Sequence, residues 1–180
     1  MDEKSYLKLI AAMLADIHKQ TVKDGDVDSK LVASALWNDS EWAIHWEHGF
    51  LLSGQNTPDH VGFVCDVLDM WSFIEVSYGK LDQTDKDRIA AEVPYGYGKN
   101  PKFPGFDGNH EGEYITVIRM LTEHMGRFEE FKGRNLNSHA PYVHRYQNML
   151  SVFAPIRESK AFTADVFLSA DEIISVLKAS

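Results

Sequence analysis

The chain has one cysteine in 180 residues, Cys65, so it can close no internal disulfide, and no Cys-x-x-Cys pair is present for zinc or redox work. It also lacks positive charge: Asp and Glu total 27 against 18 Lys and Arg, giving −9 at neutral pH. Phosphate backbones are bound by clustered Lys and Arg that release counterions, so this balance argues against direct nucleic-acid binding. No apolar run approaches the ~18–20 residues that span a bilayer. Met1-Asp2-Glu3-Lys4 leads into an amphipathic pattern rather than a basic-then-apolar leader. Gly-x-Ser-x-Gly, a P-loop, a Rossmann glycine set and His-Glu-x-x-His are all missing. These absences lead to the expectation of a soluble, cytoplasmic protein with no membrane association and no cofactor.

The charge that is present is uneven. Residues 1–92 carry 17 acidic and 8 basic side chains, whereas residues 93–180 carry 10 of each and five of the six arginines. The second half is therefore the place for a small anionic ligand.

Apolar spacing reads as helix nearly throughout, predicting an all-α, multihelical, bundle-like single domain over residues 1–180. Tyr6, Leu7, Ile10, Met13, Leu14 and Ile17 recur at three- and four-residue steps, giving an amphipathic first helix to about Lys19. A second helical region covers Ser29 to about Phe50, interrupted at Asn38-Asp39-Ser40, which read as a new N-cap. Thr57-Pro58-Asp59 opens a helix to about Leu81 that is apolar on two faces and so central, with Cys65 in its core. A short helix follows at Thr84–Ala91. Residues 92–108 form a Gly/Pro-rich connection. Beyond it, Tyr114, Ile118, Leu121, Met125 and Phe128 predict a core-facing helix within Asn109–Phe131. Tyr142 to Phe153 form another, which Pro155 ends, and Ser169-Ala170-Asp171-Glu172 is a capping box for a last helix to Lys178. Phe162 to Leu168 is the one stretch with brief strand character.

Three groups of side chains carry candidate chemistry. Glu41, His45 and His48 lie at i, i+4 and i+7, one flank of a helix, where carboxylate and imidazole could hold a divalent metal. The bland alternative makes Trp42, Trp46 and Phe50 the buried stripe and this flank its solvated shoulder. Arg119 and His124 have the spacing of some small helical ribonucleases, but five residues turn ~500° on a regular helix and part the two side chains. Arg119, Glu123 and Arg127 read instead as an i,i+4 ion ladder. Arg127, Arg134, His139, His144 and Arg145 span a helix end, a loop and the next helix start, where an antiparallel hairpin would gather them around a phosphate or carboxylate.

Phe103-Pro104-Gly105-Phe106-Asp107, Glu113-Tyr114, Gly126-Arg127-Phe128, Tyr146-Gln147-Asn148-Met149-Leu150 and Leu168 to Ile174 together resemble the YfbU family of bacterial proteins. Glu47-His48-Gly49-Phe50 and Asp69-Met70-Trp71 extend the resemblance more loosely into the first helices. It implies a multihelical cytoplasmic domain that associates with itself, and carries over no catalytic or binding residues. The function expected is a non-enzymatic, self-associating interaction or regulatory module that senses a small anion. Trp37, Tyr95 and Tyr97 are spare aromatics suited to an interface. The alternative is a metal-dependent or ribonuclease-like hydrolase using the histidines.

Overall fold

The computed structural model describes residues 2–49, 57–93, 97–160 and 166–180, and eight α-helices among them. Packing divides the chain into two compact units, each assembled from two stretches of sequence.

The first unit comprises Met1–Gly62 and Thr116–Arg134. It holds α1 (Glu3–Thr21), α2 (Ser29–Trp37) and α3 (Glu41–His48). Aspartates start the first two: Asp2 accepts from the Ser5 N–H, and Asp28 from those of Lys30 and Leu31. Asn38-Asp39-Ser40 does interrupt the second helical region, with Asp39 at φ 51°. Ser40 makes no side-chain cap, however; its hydroxyl donates to the Asn38 carbonyl. Leu31, Ala35, Trp42, Ala43, Ile118, Met120, Leu121 and Phe131 are buried in this unit.

The second unit comprises Phe63–Ile115 and Asn135–Ser180. Most of α4 (Asp59–Lys80) lies here, with α5 (Gln83–Glu92), α7 (Val143–Lys160) and α8 (Ala170–Lys178). Trp71, at 0% exposure, is ringed by Tyr97, Phe103 and Tyr146 at centroid distances of 5.6, 6.1 and 6.5 Å. The Ser169–Glu172 capping box forms as its spacing predicts. The buried Ser77 hydroxyl accepts the Leu168 N–H just before it at 2.9 Å.

Further expectations are corrected. Cys65 is half-buried, not a core residue, because it sits at the edge of the apolar faces of α4. Within the Gly/Pro-rich connection, Phe103, Gly105, Phe106 and Asp107 are buried in the second unit. Pro155 does not end α7, which runs on to Lys160. The proline and Ser151, whose carbonyl loses its donor, are both exposed, so water can satisfy that carbonyl.

The helix expected over Asn109–Phe131 is broken into parts. α6 (Gly112–Arg119) widens into a π-helical turn at Met120–His124, closed by Met125 N–H to the Met120 carbonyl at 3.1 Å. Gly126 and Phe128 then take left-handed conformations, φ 60° and 53°, and end it. Arg127 is thereby off the helix and cannot complete a ladder with Arg119 and Glu123. Of the Phe162–Leu168 stretch, residues 162–165 lie outside the described residues, as do Phe50 and Tyr95. The only β feature among the described residues is an isolated parallel bridge between Phe106 and Asn137.

Candidate functional site

The densest polar chemistry lies in the second unit, where residues 103–111 meet residues 135–146. Gly105, at φ +90°, brings its backbone so close to Leu136 that a Cβ there would fall 1.9 Å from the Leu136 carbonyl oxygen. That approach lets Phe106 donate to the Leu136 carbonyl at 2.9 Å and lets Ser138 donate back to the Phe106 carbonyl at 3.0 Å. The Asn137 side-chain oxygen accepts from the Gly108 and His139 amides at 3.0 and 2.9 Å. His139 takes a left-handed conformation, φ 56°.

Two buried acids organise the turn. The Glu111 carboxylate accepts the amides of Tyr142 and Val143, each at 2.9 Å, and that of Asp107 at 2.9 Å. Glu111 thus caps the start of α7 from outside the helix and fills the place where an anion would meet those amides. Asp107 accepts the Asn109 amide at 3.0 Å and meets His110 Nδ1 at 2.5 Å. The His110 hydrogen bond, then the Asn109 amide, hold the Asp107 carboxyl below its ordinary range, and His139 adds a smaller electrostatic pull. Burial pushes the Tyr146 and Tyr97 hydroxyls well up.

His110 is therefore an exposed imidazole oriented by a buried carboxylate, its ring free on the outer side to face a ligand. Among the described residues its ring hydrogen-bonds to Asp107 alone. Sequence reasoning passed over it. The signal was the Asp107-x-x-His110 spacing inside a glycine-rich turn, which also serves ordinary turns.

The sequence-derived anion set divides between the units. Arg127 and Arg134 belong to the first. Arg127 pairs with Glu47 at 3.2 Å and lies 5.2 Å over the Trp46 ring; Arg134 donates to the Glu130 carbonyl and lies 4.7 Å over Phe131. His139, His144 and Arg145 belong to the second, all exposed, with Arg145 5.0 Å over the Tyr142 ring.

Of the metal-ligand set, Glu41 lies 3.6 Å from Lys8 and 4.0 Å from Lys4. His48 is buried, and its Nε2 accepts the Asp28 amide at 3.3 Å. His45 is half-buried. Among the described residues no group of three His, Cys, Asp or Glu is placed to hold a metal ion. His124 shares a 2.9 Å hydrogen bond with the Ser34 hydroxyl, while Arg119 is exposed. No helix among the described residues is long and apolar enough to cross a membrane.

Comparison with known proteins adds a family. The profile of the YfbU domain matches residues 3–179. The UPF0304 protein MJECS11 of Methanocaldococcus jannaschii is 31% identical over 128 residues, which cover 68% of this chain and 69% of that protein.

Proposed function

This chain belongs to the YfbU family, and on that premise we propose that it is a non-enzymatic, self-associating interaction module working as one helical domain. One observation carries the reading. The large apolar side chains of α1 (Tyr6, Leu7, Leu9, Ile10, Met13, Leu14 and Ile17) are each 52–60% exposed, although α1 is packed against α2. Trp37, at the end of α2, is 87% exposed. A contiguous exposed apolar surface of that kind marks an interaction face. Tyr97, in contrast, is half-buried against Trp71 and is not part of it.

The regulatory part of the reading is a small anion taken by His139, His144 and Arg145, three exposed groups at the loop and first turn of α7. Sedimentation velocity on the full chain tests self-association: a mass above the monomer at micromolar concentration supports it, and a monomer throughout ends it. Titration calorimetry with inorganic phosphate tests the anion. Binding that Arg145→Gln removes supports the site, and the absence of heat ends it.

A further inference from the structure

We propose that two copies of this chain pair through α1, antiparallel about a two-fold axis between Ile10 and Met13. The inference rests on the self-association reading above and names its surface and geometry.

α1 has its apolar sides the wrong way round for a helix that serves only its own chain. At ~100° per residue, Ala11, Ala12 and Ala15 fall on one side and Tyr6, Ile10, Met13 and Ile17 on the opposite one. The alanine side is the covered one, with Ala15 buried and Ala11 and Ala12 half-buried, and α1 packs on α2. Small residues are spent on the intramolecular contact, and every large one is left in water. Leaving half-buried Leu, Ile and Met uncovered forgoes the gain of removing each from water. The pattern is explained if a second surface covers them.

Tyr6, Ile10, Met13 and Ile17 step by four, three and four residues, the seam of a helix that packs along another helix. Leu7 and Leu14 broaden it to the stripe used by bundle helices. A groove of about 420 Å³, with Leu7, Ile10, Leu14 and Leu36 in its lining and Lys4, Lys8 and Glu41 at the same site, runs beside it.

The stripe is complementary to itself. In an antiparallel pair, Ile10 meets Met13 of the second copy, and Tyr6 meets Ile17. At each end the next seam positions bring Glu3 opposite Gln20, so apolar levels meet apolar ones and the polar ends close the seam together. Antiparallel helix dipoles also set Asp2 and Glu3 near the His18 and Lys19 of the other copy.

Charge and area select a second copy. The chain carries −9, yet the seam positions Tyr6, Ile10, Met13 and Ile17 are uncharged, so pairing here does not bring the negative excess together. A lipid surface would want free basic groups beside the apolar face, whereas Lys4 and Lys8 are engaged by Asp39 and Glu41 of the same chain. At roughly 100 Å² for each of the seven half-exposed side chains, a pair would bury on the order of 1,400 Å², the scale of a stable interface.

The test uses the full chain with Cys65→Ser. Ile10→Glu with Met13→Glu sets like charges across the seam, and we expect dimer dissociation to become easier by about 100-fold or more with helicity unchanged by circular dichroism. Chains carrying Glu3→Cys and chains carrying Gln20→Cys, mixed and oxidised, should form the mixed disulfide in preference to Glu3→Cys paired with itself. If the unaltered chain is monomeric, this inference and the self-association reading both fall. If it associates but ignores the two glutamates, or if Glu3→Cys pairs with itself, this seam alone is wrong. Loss of helix in the glutamate variant would mean the face serves its own chain, which also overturns the proposal.

Discussion

The Tyr146 hydroxyl donates to the Gly105 carbonyl at 2.7 Å, bonding the buried face of α7 to the glycine turn. Gly105 is the residue whose neighbour leaves no room for a Cβ, and its φ of +90° strains any other side chain. The two positions should therefore fail by different amounts. Gly105→Ala clashes with backbone that cannot yield, and should cost more than about 3 kcal/mol or abolish folding. Tyr146→Phe keeps the ring among Trp71, Phe103 and Phe106 and loses only the hydrogen bond, for about 1–3 kcal/mol. Urea denaturation of both variants checks the order.

Glu111 does the work of a helix cap without being next to the helix. Its two oxygens serve the amides of Asp107, Tyr142 and Val143 together. Glu111→Gln retains one acceptor oxygen and introduces an amide that can only donate, so at least one buried N–H loses its partner. We expect a loss of about 1–3 kcal/mol in urea denaturation. Amide exchange should also accelerate at Tyr142 and Val143 while α8 stays protected. Equal acceleration at both places would mean that the carboxylate does not act locally.

Asp107 gives a pH dependence with a definite sign. Its carboxyl is held below the ordinary value of 3.8, first by the His110 hydrogen bond and then by the Asn109 amide. A depressed pKa in the folded state means that the unfolded chain takes up the proton first. The contribution is complete above 3.8 and is lost as pH falls below it, through the folded-state value. Asp107→Asn should make the fall in stability between pH 4.5 and pH 3 shallower, read by denaturation at several pH values. An unchanged slope would show that other carboxylates set the acid response.

The boundaries of the helices were legible where a local rule fixes them. The Ser169 capping box forms as its spacing predicts, whereas Asn38-Asp39-Ser40 breaks the helix without a side-chain cap; Asp2, Asp28 and Asp82 each accept an N–H of the helix that follows, but their place in the sequence did not single them out. The apolar period of α4 survives folding except at its edge, where Phe63 and Cys65 are half-buried. What failed needed tertiary context. Gly126 reads equally as a residue inside a helix or as its left-handed end, and only the π turn before it decides. Pro155 is tolerated because it and Ser151 lie on the exposed face of α7, where solvent can reach the carbonyl that loses its donor. The Asp107–His110 contact is hard to tell from ordinary turn chemistry, and Glu111 is recognisable as a cap only once residues 142–143 are known to lie beside it. The apolar stripe of α1 was visible, but a hydrophobic period does not say whether the chain's own core or another molecule will cover it.

Pro155 offers a prediction that runs against the usual direction of substitutions. It sits inside α7, and the helix continues to Lys160 on its far side. A proline in a helix interior costs about 3 kcal/mol relative to alanine, through the missing N–H and the clash of its ring with the preceding turn. Part of that is returned because proline also restricts the unfolded chain, by about 0.4–1 kcal/mol. Both Pro155 and Ser151 are exposed, so an alanine would restore the hydrogen bond to the Ser151 carbonyl without disturbing the core. Pro155→Ala should stabilise the chain by about 2–2.6 kcal/mol, raising the midpoint of thermal unfolding by roughly 2–4 °C per kcal/mol. A lowered midpoint would mean that the local geometry imposed by the proline is needed where α7 passes Asp69, whose carboxylate lies 3.8 Å from Arg157.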